Sequence, residues 1–255
     1  MDLGIRGKVA LVGGASSGIG EAVARALAAE GVTLALAARR TSELERVAAE
    51  CVRDGATAAR AFAYDASERG AASALVSRVN DALGAVDICV LNGGGPKPGT
   101  FTQMNLAQWD AGYDAVLRSM LELVHAVLPG MTARGWGRIV ALTSTSVKQP
   151  IGTLVLSNAF RTALVAALKT LASEVARAGV TVNAIATGRV MTDRIRSLYG
   201  SEDAAAAAAE REVPIGRVAS PAEFAPMVAF LCSDAARYVT GQTIAVDGGL
   251  IASLF

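Results

Sequence analysis

The sequence has few aromatic residues and no excess of charge of either sign. Phe, Trp and Tyr make up 5% of its 255 residues, and 24 Lys and Arg nearly balance 23 Asp and Glu. With a net charge of +1 and no basic run, nucleic acid and anionic membranes are not expected partners. No apolar run reaches membrane-spanning length, and residues 1–8 carry no signal-like apolar segment. These features predict a cytoplasmic protein.

Cysteine and histidine are also scarce. Cys51, Cys89 and Cys232 lie in separate apolar stretches, and their spacing is typical of neither a metal site nor a redox site. We therefore expect buried thiols in a reducing compartment and no metal. The single histidine, His125, lies among apolar residues of a long helical pattern, which favours a place in a helix interface.

Apolar residues, by contrast, make up 52% of the chain and recur in short runs that alternate with amphipathic helical patterns. Strands are predicted at 8–13, 32–38, 57–63, 86–91, 137–143, 180–186 and 242–247. Helices are predicted at 18–30, 41–54, 67–83, 104–130, 154–178, 190–210 and 220–233. This alternation predicts one α/β domain over residues 1–255, a Rossmann-type, doubly wound parallel sheet of about seven strands with helices on both faces.

One segment late in the chain has weaker apolar periodicity than its neighbours. Residues 190–213 follow the sixth predicted strand and include six consecutive alanines, 204–209, which favour a helix. They would lie over the carboxyl edge of the sheet, where α/β folds bind ligands. We expect this segment to be a lid over the substrate.

A glycine-rich turn connects the first predicted strand to the first predicted helix. Glycines at this position let the backbone approach a diphosphate, and the N–H groups of the following helix attract its charge. Because a second strand follows that helix, the βαβ unit has the length of a dinucleotide site. The predicted contacts are Gly14, Ser16, Ser17, Gly18, Ile19 and Gly20.

Together with further motifs, this turn resembles the short-chain dehydrogenase/reductase family, and the resemblance covers the whole chain. The motifs are Gly14, Gly18 and Gly20 (with Gly13 where a threonine is usual), Asp65, Leu91-Asn92-Gly93-Gly94, Val182 to Gly188 with Thr192, Gly216-Arg217, Pro221 to Glu223, Tyr238 to Gln242, and Val246 to Gly249. The resemblance implies that Asp65 and Ala66 contact adenine and that Asn92 and Gly93 line the adenosine ribose. It also assigns Gly94, Thr187, Gly188, Val190, Thr192 and Arg161 to cofactor binding.

The end of the second predicted strand bears on the choice of cofactor. In dinucleotide folds an acidic residue here binds the ribose hydroxyls and repels a 2′-phosphate. This strand instead ends in Ala38-Arg39-Arg40, and a guanidinium can pair with a phosphate. We therefore expect NADP(H) to be preferred over NAD(H).

The catalytic positions depart from the family pattern. The resemblance implies a serine, a tyrosine, a lysine and an asparagine, and only the serine is present, as Ser144. The tyrosine position falls on Ser157, the lysine position on Arg161 and the asparagine position on Val116. A serine hydroxyl is far less acidic than a phenol, and an arginine does not give up its proton. We assign Ser144, Ser157 and Arg161 to catalysis, with an atypical proton donor.

Several interpretations stay open at this point. Lys148, Tyr113 and Tyr199 are alternative proton donors, and the glycine-rich loop of residues 93–99 could place Lys97 near an anionic group of the substrate. The leading hypothesis is an NADP(H)-dependent oxidoreductase that acts on a carbonyl or alcohol. The alternatives are a protein that binds NADP(H) with little or no redox activity, for sensing or assembly, and an enzyme of non-redox chemistry. The resemblance also implies a homotetramer or homodimer built on two long helices, one of which, residues 154–178, is apolar on more than one face.

Overall fold

The computed structural model describes residues 2–254, whose strands form one parallel sheet of seven strands. The strands are β1 (Val9–Gly13), β2 (Thr33–Ala38), β3 (Ala58–Ala63), β4 (Ile88–Leu91), β5 (Gly137–Leu142), β6 (Val180–Thr187) and β7 (Thr243–Val246). Their order across the sheet is β3-β2-β1-β4-β5-β6-β7. The direction of winding reverses between β1 and β4, and ligands of such folds bind beside this point, at the carboxyl ends of the strands. The predicted fold class is confirmed.

Helices cover both faces of the sheet. They are α1 (Gly18–Ala29), α2 (Thr41–Asp54), α3 (Ala71–Leu83), α4 (Leu106–Gly112), α5 (Ser119–Arg134), α6 (Val155–Val175), α7 (Asp193–Tyr199), α8 (Glu202–Glu212) and α9 (Pro221–Leu231). One apolar core packs α1, α2 and α9 on one face, and a second packs α3, α5 and α6 on the other. The small side chains of both cores let the helices pack closely on the strands.

The helix predicted over 104–130 is present and helical from Leu106 to Arg134, but it is not α-helical throughout. It consists of α4, a π-helical turn (Tyr113–Arg118) and α5, which continues to Arg134. α4 packs closely on α6 at Gly112, where a Cβ would lie 3.0 Å from Phe160 Cε2. The π turn directs Val116 into the interior, where only 2% of it is exposed.

Two more helix predictions need correction, and in both places a glycine is the cause. The helix predicted over 190–210 is divided into α7 and α8 by Gly200, whose φ is +84°. Ser201 then caps α8 by accepting a hydrogen bond from the N–H of Ala204. The helix predicted from residue 67 begins only at Ala71, because Gly70 has a φ of +81°. The six alanines lie in α8, as predicted.

A buried arginine connects the centre of the sheet to the last part of the chain. Arg138 on β5 is 2% exposed, and its guanidinium donates to Ser233 O at 3.0 Å and to Asp234 Oδ1 at 3.0 Å. The indole of Trp136 lies 4.2 Å from the same guanidinium and donates to the same Asp234 oxygen. Burial lowers the pKa of Arg138, and the Asp234 carboxylate opposes that shift. These contacts fix the segment after α9 against β5.

The cysteines are buried and unbonded, as predicted. Burial raises the pKa of Cys51 and of Cys89 to about 12, so both remain thiols at neutral pH. His125 lies exposed on α5, so the predicted helix interface is wrong within the described part of this chain. Over residues 2–254, every helix is too short or too polar to cross a membrane.

Candidate active site

A cavity of about 1120 Å³ lies at the carboxyl ends of the strands, beneath α7 and α8. It takes in the glycine-rich turn after β1, the ends of β2, β4, β5 and β6, and the first turns of α6 and α7. Each residue predicted to bind cofactor or to act in catalysis lines it. These residues are Gly14, Ser16, Ser17, Gly18, Ile19, Gly20, Arg39, Arg40, Asp65, Ala66, Asn92, Gly93, Gly94, Ser144, Ser157, Arg161, Thr187, Gly188, Val190 and Thr192.

The glycine-rich end of the cavity is built by close contact between backbone segments. A Cβ on Gly20 would overlap the carbonyl oxygen of Gly14 and lie 2.9 Å from Asn92 Nδ2. A Cβ on Gly13 would lie 2.5 Å from Asn92 O. The Asn92 amide donates to Gly13 O at 3.0 Å, which holds the turn after β4 against the turn after β1. Side chains at positions 13 and 20 are therefore excluded from this contact.

The same end has the features of an anion site. Ser17 precedes α1 without capping it through its side chain, so the N–H groups of the first turn are left for a ligand. Arg40 reaches over this turn and donates to Ser16 Oγ at 3.1 Å and to Ser17 Oγ at 2.6 Å. Glycines without room for a Cβ, helix N–H groups and arginines are the groups that a phosphorylated dinucleotide requires. The residues present therefore fit a nicotinamide adenine dinucleotide.

Asp65 lies beside the arginines, at the turn that follows β3. Its Oδ1 accepts hydrogen bonds from the backbone N–H of Ser67 at 2.9 Å and from the Ser67 hydroxyl at 2.7 Å. These bonds, with a smaller effect from the charge of Arg39, lower the pKa of Asp65. The carboxylate is ionised at neutral pH and is available to accept a hydrogen bond from a ligand.

At the opposite end of the cavity, serine hydroxyls follow β5 and enter α6. Ser144 Oγ accepts from the backbone N–H of Ser146 at 3.1 Å. Ser146 Oγ lies 3.2 Å from Ser157 Oγ, and both of these side chains are buried. Ser146 thus connects the two predicted catalytic serines. Sequence reasoning missed it, although it stands only two residues after Ser144.

Arg161 lies one turn of α6 beyond Ser157 and faces the same cavity. Its Nη1 donates to Leu142 O, at the end of β5, at 2.9 Å. Burial, together with the charge of Arg194, lowers the pKa of Arg161 to about 10. The guanidinium therefore remains a cation at neutral pH, with further N–H groups to donate.

The remaining sequence candidates do not all reach the site. Lys97, Lys148 and Tyr113 do not border the cavity, and Val116 lies buried in the π turn while Ala115 lines the wall. Of the alternative proton donors, Tyr199 lines the cavity, with the guanidinium of Arg189 5.2 Å from its ring. Val116, on which the sequence resemblance places the family's asparagine, provides no polar group to hold a water molecule.

Two arginines of the cavity were missed by the sequence analysis. Arg189 follows the predicted Gly188 and forms an ion pair with Glu212 of α8. Arg194 stands two residues after the predicted Thr192 and donates to Pro96 O at 2.8 Å. Both positions are adjacent to family motifs, so the sequence could predict that they lie near the site. It could not predict the direction in which their side chains point.

Comparisons with known proteins agree with this fold and site. A family model described as Enoyl-(Acyl carrier protein) reductase matches residues 14–251. Nodulation protein G of Azospirillum brasilense is 37% identical over 95% of this chain and 98% of its own. The 3-oxoacyl-[acyl-carrier-protein] reductase FabG of Vibrio cholerae is 34% identical over 97% of this chain and 99% of its own.

A solved structure is similar over its entire length. L-Sorbose reductase from Gluconobacter frateurii, determined in complex with NADPH and L-sorbose, superposes with a TM-score of 0.93 at 32% identity, with both chains covered completely. The chain therefore belongs to the short-chain dehydrogenase/reductase family, a family of oxidoreductases. The resemblance stated from the sequence motifs is confirmed.

Proposed function

We propose that the protein is an NADP(H)-dependent oxidoreductase that transfers a hydride between the cofactor and a carbonyl or alcohol substrate, with an atypical proton donor. One observation carries the proposal: a single cavity is lined by the full set of predicted dinucleotide positions and, next to them, by Ser144, Ser157 and Arg161. The similarity to a reductase solved with NADPH and a sugar substrate supports the same class of reaction.

The preference for NADP(H) rests on charge at the end of β2. Arg39 and Arg40 both line the cavity, and Arg40 is already held over the glycine-rich turn by Ser16 and Ser17. A guanidinium in that place pairs with a 2′-phosphate in a charge-assisted contact. No acidic residue stands between Ala37 and Arg40 to repel that phosphate.

The nicotinamide ring, when bound, supplies or accepts the hydride, and the chain's residues act on the substrate oxygen. Ser144 Oγ accepts the Ser146 N–H, which leaves its hydroxyl hydrogen to donate to that oxygen. Ser157 provides a second hydroxyl, positioned by Ser146. Arg161 contributes positive charge beside the same site and stabilises a developing oxyanion. The chain thus favours hydride transfer through electrostatics, without the acidity of a phenol.

The replacement of the family's catalytic side chains also favours a second function. Ser157, Arg161 and Val116 occupy the positions where the family places its tyrosine, lysine and asparagine. Without a phenol and without an anchored water, the usual proton relay is absent. A protein that binds NADP(H) with little or no redox activity, in a sensing or assembly role or for non-redox chemistry, has the same cavity.

The test follows NADPH absorbance with one panel of ketones and aldehydes, for the unmodified protein and for Ser144→Ala. We expect slow reduction by the unmodified protein and a loss of about 100- to 1000-fold in Ser144→Ala, because one donor to the oxyanion is removed. The matched control is Ser197→Ala, an exposed serine on α7. Tight NADPH binding with no turnover across the panel would favour the second function. Brisk reduction that is insensitive to Ser144→Ala would place the reaction elsewhere.

The proposal includes assembly and location. A homotetramer or homodimer is supported by apolar side chains left on the surface next to α6: Leu106 is 82% exposed and Phe101 69%. Light scattering at micromolar concentration measures the oligomeric state directly, and a strict monomer contradicts the proposed assembly.

A cytoplasmic location is supported by three unbonded thiols, which persist in a reducing compartment.

A further inference from the structure

Arg194 places a cation in the cavity without a carboxylate beside it. Its Nη2 donates to Pro96 O at 2.8 Å, across the gap between α7 and the loop of residues 93–99. Gly95 makes room for it, because a Cβ there would lie 2.7 Å from Arg194 Nε. Among residues 2–254, no Asp or Glu oxygen lies within ion-pair distance of Arg194. One of its five N–H groups is thus used by the protein, and the others remain.

Arg194 is one of two such cations in this part of the cavity. Arg161 also lacks a carboxylate partner within the described residues, and its bond is to Leu142 O. The acids that line the same wall are already used, since Glu212 pairs with Arg189 and Asp193 with Arg196. Burial lowers the pKa of Arg194, and Arg194 in turn lowers that of Arg161. Two desolvated cations near each other cost stability unless an anion joins them.

The cavity that Arg194 lines also has apolar side chains in its wall. Ile195 and Leu198 of α7, with Ile151 and Leu154 across the cavity, line the wall. Gly99 pairs with Leu154, so the loop that accepts the Arg194 hydrogen bond lies against this apolar wall. A cation on an apolar wall is complementary to a molecule that has both an apolar body and a negative group.

We propose that the substrate carries a carboxylate, bound by Arg194 with Arg161 nearby, next to the carbonyl or alcohol that reacts. The proposal rests on the proposed function only in taking this cavity as the substrate site. It names the substrate class: oxo or hydroxy acids with an apolar chain. A guanidinium binds a carboxylate through two parallel N–H donors, which also orients the substrate.

The experiment measures binding by calorimetry to protein saturated with NADP⁺, without turnover. The probes are 4-methyl-2-oxopentanoate, phenylpyruvate and 3-oxohexanoate, each compared with its methyl ester. We expect at least one acid to bind about 10- to 100-fold more tightly than its ester, the range of one charge-assisted pair. In Arg194→Gln this preference disappears while ester binding is unchanged, and in Arg194→Lys part of it remains.

The matched control is Arg196→Gln on the same helix, an exposed arginine paired with Asp193 and Glu202, which should keep the full preference. The proposal is overturned if no acid in the panel binds better than its ester. It is overturned as well if Arg194→Gln weakens acid and ester equally, which indicates that Arg194 only holds α7 to the loop. A loss of NADP⁺ affinity in Arg194→Gln, with the acid preference intact, would assign Arg194 to the cofactor instead.

These results are separable from those for the proposed function. An acid preference that depends on Arg194, found in a protein that never oxidises NADPH, supports this inference and contradicts the oxidoreductase. NADPH oxidation with neutral ketones only, and no acid preference, supports the oxidoreductase and contradicts this inference.

Discussion

The glycine-rich end of the cavity is built from backbone, whereas the opposite end is built from side chains. At Gly20 and Gly13 there is no space for a Cβ. The Asn92 side-chain amide holds the turn after β4 to the turn after β1 by donating to the backbone carbonyl of Gly13. At the end of β5 and the start of α6, the cavity wall consists of hydroxyl and guanidinium groups. The strand and the helix that bring these side chains to the wall have regular backbone. A site made by backbone contact tolerates few residue types, while a site made by side chains can change its chemistry and keep its shape.

The largest effect is expected where the backbone end is most crowded. Gly20→Ala places a methyl group against the Gly14 carbonyl, and we expect the free energy of unfolding to fall by about 3 kcal/mol. The turn must also shift, so NADPH affinity should fall by about 100-fold, or ~2.8 kcal/mol. Thermal unfolding and calorimetry measure the two losses.

Gly152→Ala is the control for that substitution, because a Cβ there has no neighbour within 4 Å and its φ is not positive. If Gly20→Ala binds NADPH as tightly as Gly152→Ala does, the tight contact is not needed for the cofactor, and the contrast between the two ends fails.

A smaller effect is expected at the charged rim of the same end. Arg39→Ala should weaken NADPH binding by about 1.5–3 kcal/mol, the value of a hydrogen bond to a charged group, and leave NADH nearly unchanged. The dissociation constants of both cofactors, measured by fluorescence titration, give the ratio. Arg53→Ala, an exposed arginine on α2, should change neither. Equal constants for NADPH and NADH in the unmodified protein would contradict the NADP(H) assignment.

The smallest effect is expected from restoring the family side chains at the opposite end. In Ser157→Tyr with Arg161→Lys, a phenol with a reference pKa of about 10 gains a neighbouring ammonium that lowers its pKa. Reduction of generic ketones should rise by up to about tenfold, below the ~100-fold at which general acid catalysis usually begins. Recovery is partial because Val116 still provides no water anchor.

The same NADPH absorbance assay measures that gain, with Ser157→Tyr alone as the control, since it keeps the Arg161 guanidinium and so separates the effect of the phenol from that of the lysine. Unchanged rates in a double variant that still binds NADPH would show that proton supply does not limit the unmodified protein.

The two ends also differed in how far the sequence could predict them. The glycine-rich turn, the position of the arginines after β2 and the alternation of strands with helices follow from spacing and periodicity, and the structure places the turn and the arginines in one cavity. The helix boundaries at Gly70 and Gly200 were not predicted, because a single glycine within a helical pattern has several uses that only packing decides.

The direction of long side chains was the second feature that the sequence could not predict. Lys97, Lys148 and Tyr113 were as near to the site in sequence as Arg194, yet only Arg194 lines the cavity. Whether a long side chain on a loop or a first helical turn points inward depends on its long-range neighbours. For Arg194 these neighbours are Gly95 and Pro96, and Pro96 stands 98 residues earlier in the chain.

The contacts of buried Arg138 with Ser233 and the partly exposed Asp234 have a consequence for the synthesis of the chain. β5 leaves the ribosome well before Ser233 and Asp234, which lie near the end of the 255 residues. Until they emerge, a guanidinium at the centre of the sheet lacks two of its acceptors, and burying it unpaired is unfavourable. We therefore expect the packing around Arg138 to be completed only when these residues have been synthesised, and a chain that ends before residue 234 to be more sensitive to proteolysis.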